Sequence, residues 1–596
     1  MRKKNRAWLW GSLTVAALGL WHLLDVRAGA AESGDWWLVR WYAGLFVVVV
    51  GFAAVMGRLF FAERLAGADE AGSEEGIAGR DKDPEEGAAR GDKDPEEGAA
   101  RGDKDPEEGA ARGDKDPEEG TVRRAMGLER IYLIAGTILG ILYLLVLPPL
   151  SAPDEISHYM GAYQLSSRLL GQPSNAVTGH VLIRPQDIWL EDVEDCWEYE
   201  ESEDGYVQPV ADTTEDSVFL GETLWKKTYK TIKDQGILGQ RYPLAAEAQD
   251  KIRQSLILSP YPPVVTTPVA YIPQALGISF ARLFHMNTVM LAYLGRLCNL
   301  LFFVGMTFLA MKRLPFGKEV LFGVALLPMT LHLSASFSYD VMILGCMFYL
   351  TAVCLDLAYE KERVGIKDVA VIGVLMAAAG PCKLIYGVLM GLCLLIPVRK
   401  FGGWKPWATA ALCVFAAWGL SMLLINGQTI VSYATETESV VPWAQEAGYS
   451  LTLLLHRPLQ ALRMFYQTVL WQAEYYHMTM IGAYLGNLDT VLDVPYLVVV
   501  MFTVGLLCLA AKKPGEKQMM TAKDRVWVAA LCTLCTLAAM GSMLIAWTPL
   551  SSPVISGVQG RYFLPFLPVL LMAFKNDLIV LTKNGNRSIL YLMCCA

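Results

Sequence analysis

The sequence predicts an all-α polytopic membrane protein, with about ten core transmembrane helices behind an N-terminal two-helix hairpin and large outer loops carrying amphipathic helices. Three observations lead there. Hydrophobic residues make up 54% of the 596 positions and charged residues only 18%. Many apolar runs reach the roughly 20 residues that cross a bilayer core as a helix, the form that satisfies every backbone polar group internally. Lys and Arg, finally, are sorted between alternate connections in the way that sets orientation.

Residues 1–6, MRKKNR, precede apolar runs at 7–24 and 37–62. The basic start places the N-terminus in the cytoplasm. The first run lacks a small-residue cleavage site and a second run follows at once, so the pair reads as an anchored hairpin (residues 1–62) and not as a signal peptide. Residues 63–127 then read as a disordered acidic cytoplasmic linker. Within it GDKDPEEGAAR recurs at an 11-residue period, each unit carrying a proline, two glycines and no large apolar residue. A helix there would be broken in every unit with nothing to bury.

The main domain occupies residues 128–596, with spans expected near 131–150, 288–311, 318–337, 341–358, 368–382, 384–398, 406–425, 494–511, 526–547 and 562–580. Strict alternation from a cytoplasmic N-terminus puts Lys312, Arg313 and Lys318, then Lys361, Arg363 and Lys367, then Arg399, Lys400 and Lys405, and the 512–525 stretch inside. Glu436, Glu438 and Glu446 fall outside. The pair 368–398 is short and joined at Pro381-Cys382-Lys383, which suits a broken or re-entrant arrangement. Two outer segments, 151–287 and 426–493, are too long for passive connectors. The second contains an amphipathic aromatic section, Leu459 to Tyr484, suited to the membrane interface.

No basic patch with interleaved aromatics points to nucleic acid. Of the 12 cysteines, Cys298, Cys346, Cys354, Cys393, Cys413 and Cys508 lie inside apolar runs, where a thiol behaves as a small hydrophobe. Cys532 and Cys535 have CxxC spacing but no second pair.

The candidate chemistry follows the span 131–150, in Pro148-Pro149-Leu-Ser-Ala-Pro153-Asp154-Glu155-Ile-Ser-His158. The prolines end one helix and pre-set the next. On that next helix Asp154 and Glu155 stand four and three residues from His158, so they are neighbours able to take a proton from a hydroxyl or, with Asp154 and Glu155, to hold a divalent cation. The alternative is a helix cap, since Ser151-x-x-Asp154 matches a capping box and acidic residues suit a first turn. Asp340 ends another span on the same side, and Lys383 is a cation where the charge rule expects few. Gln559-Gly560-Arg561-Tyr562 opens the last span, and the fork of Arg561 suits phosphate oxygens. Asp489, in Gly486-Asn-Leu-Asp489, is weaker because that composition is ordinary for a turn. The bland readings are solvation for Asp340 and headgroup snorkelling for Lys383 and Arg561. All these positions map to one side.

The stretch PPLSAPDEISHYMGAYQLSSRLLG resembles the opening motif of the bacterial membrane family called domain of unknown function 2142, and GVQGRYFLPFLP resembles its closing motif. Between them RLCNLL (Arg296–Leu301), SFSYD (Ser336–Asp340), KLIY (Lys383–Tyr386) and GAYLGNLDTVLDVPY (Gly482–Tyr496) fall in the family's order, so the likeness covers 131–580. That family is in turn similar to the GT-C glycosyltransferases, which use polyprenyl-phosphate sugars. The resemblance implies a GT-C-like bundle in the bacterial plasma membrane, with both termini cytoplasmic and the active face extracytoplasmic. Its partners would be a polyprenyl-phosphate sugar, a glycan acceptor and the bilayer. Asp154 or Glu155 would be the base or a metal ligand, Asp340 the second acidic position, and Lys383 and Arg561 the phosphate partners. A flippase or exporter of lipid-linked glycans, and a non-catalytic envelope-assembly protein, are the competing functions.

Overall fold

Helices account for nearly all regular structure in the protein, a computed structural model of which describes residues 7–33, 36–74, 126–147, 149–176, 179–185, 187, 197–201, 207–211, 256–259, 261–264, 266–435, 440–441, 443–485, 492–517 and 519–596. The protein is an all-α, multi-pass membrane protein. Six of the described helices are long and apolar enough to cross a bilayer: Val39–Phe61, Leu128–Val146, Thr288–Arg313, Asp340–Glu360, Trp404–Gly427 and Ala522–Trp547. Leu384–Leu395 and Tyr496–Ala510 are shorter apolar helices.

Helices α1 (Ala7–Ser33) and α2 (Trp36–Glu74) form the N-terminal hairpin. The second runs on past the expected end of the apolar stretch, into residues assigned above to the linker. No proline occurs between 63 and 74, so nothing local stops the helix. The repeats at 80–120 lie outside the described residues. The hairpin rests on the last helix, Asn586–Cys595, through Phe60 and Phe61 against Tyr591 and a Ser12–Tyr591 hydroxyl pair at 3.0 Å.

After α3 (Leu128–Val146) the chain turns into α4 (Glu155–Leu169), then passes two short antiparallel pairs before α5 (Ile272–Leu283) and α6 (Thr288–Arg313). In one pair Leu182 faces Leu258; in the other Trp197 faces Ala211. The span expected at 318–337 is instead two pieces, α7 (Lys318–Ala325) and α8 (Pro328–Ser334). Pro328 lacks an N–H and drives Leu327 into extended backbone, at ψ 138°, so the helix restarts there. Helix α9 (Asp340–Leu355) is apolar all round, and its membrane-crossing window is 89% buried, as expected for a helix that others surround.

Helix α10 (Ile366–Ala379) is followed by a 3-10 helix, Leu384–Leu395, where a second α-helical span was expected. At about 2.0 Å per residue its twelve residues reach about 24 Å, against about 18 Å for an α-helix, so this short stretch covers most of a bilayer core. Helix α11 (Trp404–Thr435) packs on α10, and α12 (Leu451–His456) and α13 (Pro458–Ile481) follow. Helix α13 coincides with the expected amphipathic section and exposes Leu459, Leu462 and Tyr466 along one side, with Trp471 also exposed further round. Helices α14 (Tyr496–Ala510) and α15 (Ala522–Trp547) complete the bundle, with α16 (Leu567–Ala573) and α17 (Asn586–Cys595) after it. The last expected span, 562–580, is therefore only a 3-10 turn at Gly560–Phe563 and the seven-residue α16, since Pro565 and Pro568 interrupt it.

The basic connections gather at one end. Arg313 pairs with Asp356 (3.0 Å) and Asp368 (2.8 Å), and Lys361 with Asp368 (2.6 Å). Lys400 donates to the carbonyls of Leu357, Ala358 and Lys361. Tyr359 reaches Asp524, and Lys575 joins Glu319 to Glu516. Several of the charges sorted by sequence alone, Arg313, Lys361 and Lys400 among them, thus meet partners at one end of the helices. The other end of the bundle carries the candidate site.

Candidate functional site

Two left-handed residues shape the loop between α3 and α4. Leu150 has φ 66° and Asp154 φ 57°. An aspartate tolerates that region and a leucine does so only when its surroundings enforce it. The enforcement comes from Glu155. Its carboxylate accepts from the N–H groups of Ala152 and Phe337, both at 2.9 Å, and lies 3.6 Å from the Arg296 guanidinium. Arg296 is wholly buried and donates to the carbonyls of Leu147 (3.1 Å) and Ala335 (2.6 Å). In the alternative reading Ser151 and Asp154 would form a capping box; Asp154 makes no side-chain cap hydrogen bond, and Glu155, one residue later, accepts from the Ala152 N–H.

The Ala335–Tyr339 loop is clamped in the same way. Asn299 donates to the carbonyls of Ser336 and Ser338, and Gln274 to those of Phe337 and Ser338. This fixes Asp340 at the first turn of α9. From the far end of the chain, Arg561 arrives on a 3-10 turn seated directly on α13. Gly560 makes that seating possible: a Cβ there would stand 1.9 Å from the Tyr476 carbonyl oxygen.

These elements bring four charges together. Arg561 Nη2 donates to Asp154 Oδ2 at 2.7 Å, and its Nε stands 3.7 Å from Asp340 Oδ2. Lys383 Nζ donates to Asp340 Oδ1 at 2.8 Å. The Tyr562 ring lies 4.1 Å from Lys383 Nζ and the Tyr339 ring 5.0 Å from it, so aromatic faces flank the ammonium. The Tyr386 hydroxyl holds the backbone of Tyr562, at 3.0 Å. Exposure grades the four side chains: Asp154 is 62% exposed, Lys383 18%, Asp340 10% and Arg561 3%. Asp154 is the carboxylate that faces outward.

Burial alone would raise the Asp154 carboxyl, but the charge and hydrogen bond of Arg561 overcome it and hold the group below the usual carboxylate range. For Lys383 burial works against the charge, and Asp340 more than offsets it, so the ammonium persists. Glu155 goes the other way: burial pushes its carboxyl up against the pull of Arg296. Its oxygens are spent inside the fold, and it does not share a site with Asp154. A divalent cation held by Asp154 and Glu155 together therefore does not fit these residues, and among the described residues no group of three His, Cys, Asp or Glu side chains could hold one.

His158 makes its printed contacts with tyrosines and none with Asp154. Its Nδ1 lies 2.9 Å from the Tyr271 hydroxyl and its ring meets Tyr339 edge-on at 4.7 Å. Burial, helped by Arg561 and Lys383 against the two aspartates, pushes its pKa down to about 4. The unfolded chain, with the ordinary value near 6.5, binds a proton between those pH values that the folded chain refuses. Stability is therefore full above pH 6.5 and falls by up to about 3 kcal/mol towards pH 4. Thermal unfolding of wild type and His158→Gln across that range tests this; an equally steep acid loss in the variant would place the sensitivity elsewhere.

Glu155 and Arg296 carry a second prediction. Glu155→Ala strands a buried guanidinium and is expected to cost about 3–5 kcal/mol. Adding Arg296→Met should recover part of that, as read by thermal unfolding in detergent.

Of the sequence candidates, Asp154, Asp340, Lys383, Arg561 and Tyr562 meet. Gln559 stands next to Arg561, and its buried Oε1 accepts no hydrogen bond. Asp489 lies outside the described residues. Arg296, Tyr271, Tyr339 and Tyr386 were not among the candidates, although an arginine inside an apolar span is itself a signal.

Residues 247–570, more than half of the chain, match the model of a family described as predicted membrane protein (DUF2142). Asp340, Lys383 and Arg561 fall inside the match; Asp154 precedes it. No curated protein and no solved structure gave a match.

Proposed function

The chain belongs to the DUF2142 family of predicted membrane proteins, and from that premise we propose that it is a membrane glycosyltransferase of the GT-C type. It moves a sugar from a polyprenyl-phosphate donor to an extracytoplasmic cell-surface glycan or lipid-linked acceptor. One observation carries this reading: an outward-facing carboxylate, Asp154, bonds to Arg561, which shares Asp340 with Lys383, at the end of the bundle away from the basic connections. A base beside a phosphate-binding pair is what inverting sugar transfer requires.

In the reaction the acceptor hydroxyl attacks the anomeric carbon while Asp154 takes its proton. The bond from that carbon to the donor phosphate breaks, and the phosphate leaves with the electron pair. Lys383 and Arg561 stabilise the charge that develops on it. Asp340 positions both cations through its two oxygens. The GT-C assignment is by analogy, and the bacterial plasma membrane with an outward active face belongs to the same proposal.

The competing reading, translocation of a lipid-linked glycan, needs ionisable groups along a path through the membrane. Here the interior around α9 is filled by apolar side chains, which favours transfer. Proteoliposomes given a polyprenyl-phosphate sugar labelled in the sugar separate the two. Label passing to a glycan acceptor supports the transferase. Label crossing the bilayer still attached to its lipid, without transfer, overturns it.

A further inference from the structure

Two tryptophans stand together at the end of the bundle that carries the candidate site. Trp547 closes α15, at the opposite end of that helix from Asp524 and the basic network. Trp443 lies in the turn of a short hairpin in which Val441 faces Glu446. Their ring centroids are 6.4 Å apart and their planes 32° from parallel. Trp443 is 54% exposed and Trp547 44%, so ring surface of both is open. The hairpin is fastened to the chain that follows α15. The Leu550 N–H donates to the Ala447 carbonyl at 2.9 Å, and the Ser551 hydroxyl donates to the Glu446 carboxylate at 2.5 Å. The pair is also tied to the charge cluster. Gly557, in left-handed backbone at φ 79°, lies against Trp547: a Cβ there would stand 2.5 Å from the indole ring. Four residues of chain, at most about 14 Å, then lead to Arg561. Within that stretch Val558 is buried with Tyr449, Tyr476 and Leu544, and the Gly560 N–H donates to Thr479 Oγ1 at 2.8 Å. The two tryptophans and the four charges are thus held in a fixed relation.

Val440 and Leu550 close by are exposed as well, so the bilayer surface competes as an occupant. The direction of one hydrogen bond decides between them. A tryptophan that anchors a protein at a membrane surface keeps its N–H for water and headgroups. Trp443 spends its only polar atom inward, on the Trp547 carbonyl at 3.1 Å, and exposes ring alone. The same hairpin carries Glu446, which with Ser551 supplies an exposed carboxylate and hydroxyl. A carboxylate there repels anionic headgroups and accepts hydrogen bonds from hydroxyls. An apolar face edged by such groups matches a pyranose, which shows C–H groups on one face and hydroxyls around its rim. We propose that Trp443 and Trp547 form a platform for a pyranose ring of an extended glycan, with Glu446 and Ser551 taking its hydroxyls. A short oligosaccharide held there reaches the charge cluster. Its use as the acceptor rests on the transferase reading above; the binding of sugar by the tryptophans does not.

The test uses the full-length protein in phosphatidylcholine nanodiscs, with fluorotryptophan in place of tryptophan and each fluorine NMR signal assigned by a Trp→Phe variant. The probes are tetrasaccharides of glucose, galactose, mannose and N-acetylglucosamine. At least one is expected to move the Trp443 and Trp547 signals and leave that of Trp404, exposed at the basic end, in place. Trp443→Ala should weaken this binding about tenfold, read from the Trp547 signal. Trp443→Phe loses the N–H and keeps a ring face, so it should restore most of the affinity. No response to any probe, an equal response at Trp404, or undiminished binding by Trp443→Ala each overturns the proposal. An equal loss in Trp443→Phe makes the tryptophan a structural strut and overturns it too. Broadening of both signals by a spin-labelled headgroup, with no response to sugar, assigns them to the bilayer surface instead. A protein that binds a tetrasaccharide at the two rings yet transfers no sugar loses the transferase reading and keeps the platform. One that transfers sugar with an acceptor KM unaltered by Trp443→Ala loses the platform alone.

Discussion

Transfer by the Arg561→Ala protein is expected to fall by about 10²–10³-fold, the cost of removing one donor from a developing anion. Stability should fall too. Arg561 is nearly wholly buried between Asp154 and Asp340, and its loss leaves Asp340 with Lys383 alone. Breaking a buried pair costs about 3–5 kcal/mol. Arg561→Lys distinguishes the two losses, because it keeps the charge without the planar fork. Stability should return more fully than transfer. Labelled-sugar transfer and thermal unfolding, measured on the same preparations, check both. Unchanged transfer by a folded Arg561→Ala protein removes this residue from the mechanism.

Asp154→Asn separates chemistry from structure more sharply. The side chain is the most exposed of the four, asparagine accepts the left-handed backbone, and its carbonyl oxygen can still take the Arg561 hydrogen bond. Stability should change by less than about 1 kcal/mol. Transfer should fall by about 10³-fold, since no carboxylate remains to take the acceptor's proton. The loss belongs in kcat, with the donor KM little altered. A kcat within a few-fold of wild type would assign Asp154 to positioning Arg561 instead. Asp154→Ala adds about 1 kcal/mol of backbone strain and is the poorer test.

Much of this was legible in the sequence because a membrane makes charge conspicuous. Asp340, Lys383 and Arg561 stand out against apolar runs, and the placement of Lys and Arg marks one end of the bundle in the sequence itself. The pairing was not legible. Arg561 and Asp154 are 407 positions apart, and their meeting depends on Gly560 seating a turn against α13, which no periodicity reports. Adjacency on a helix misled in one place. Glu155 was grouped with Asp154 by spacing, yet Asp154 precedes the helix in left-handed backbone while the Glu155 oxygens accept from Ala152 and Phe337 inside the fold. Hydropathy likewise passed straight over Pro328, because a run can be apolar enough to span without being one helix. Nor does composition distinguish a 3-10 helix from an α-helix when both are apolar.

The four charges at the site, two carboxylates and two cations with His158 neutral, cancel one another. A neutral cluster casts little field beyond a Debye length, so an anionic ligand is not drawn in from bulk water. On the transferase proposal, a lipid-borne phosphate would arrive by diffusing within the membrane and then exchange partners, taking the guanidinium from Asp154. That exchange would be an interlock: the proposed base would be freed by the same event that delivers the phosphate, and water alone would meet an occupied carboxylate. Ionic strength should then matter little to encounter.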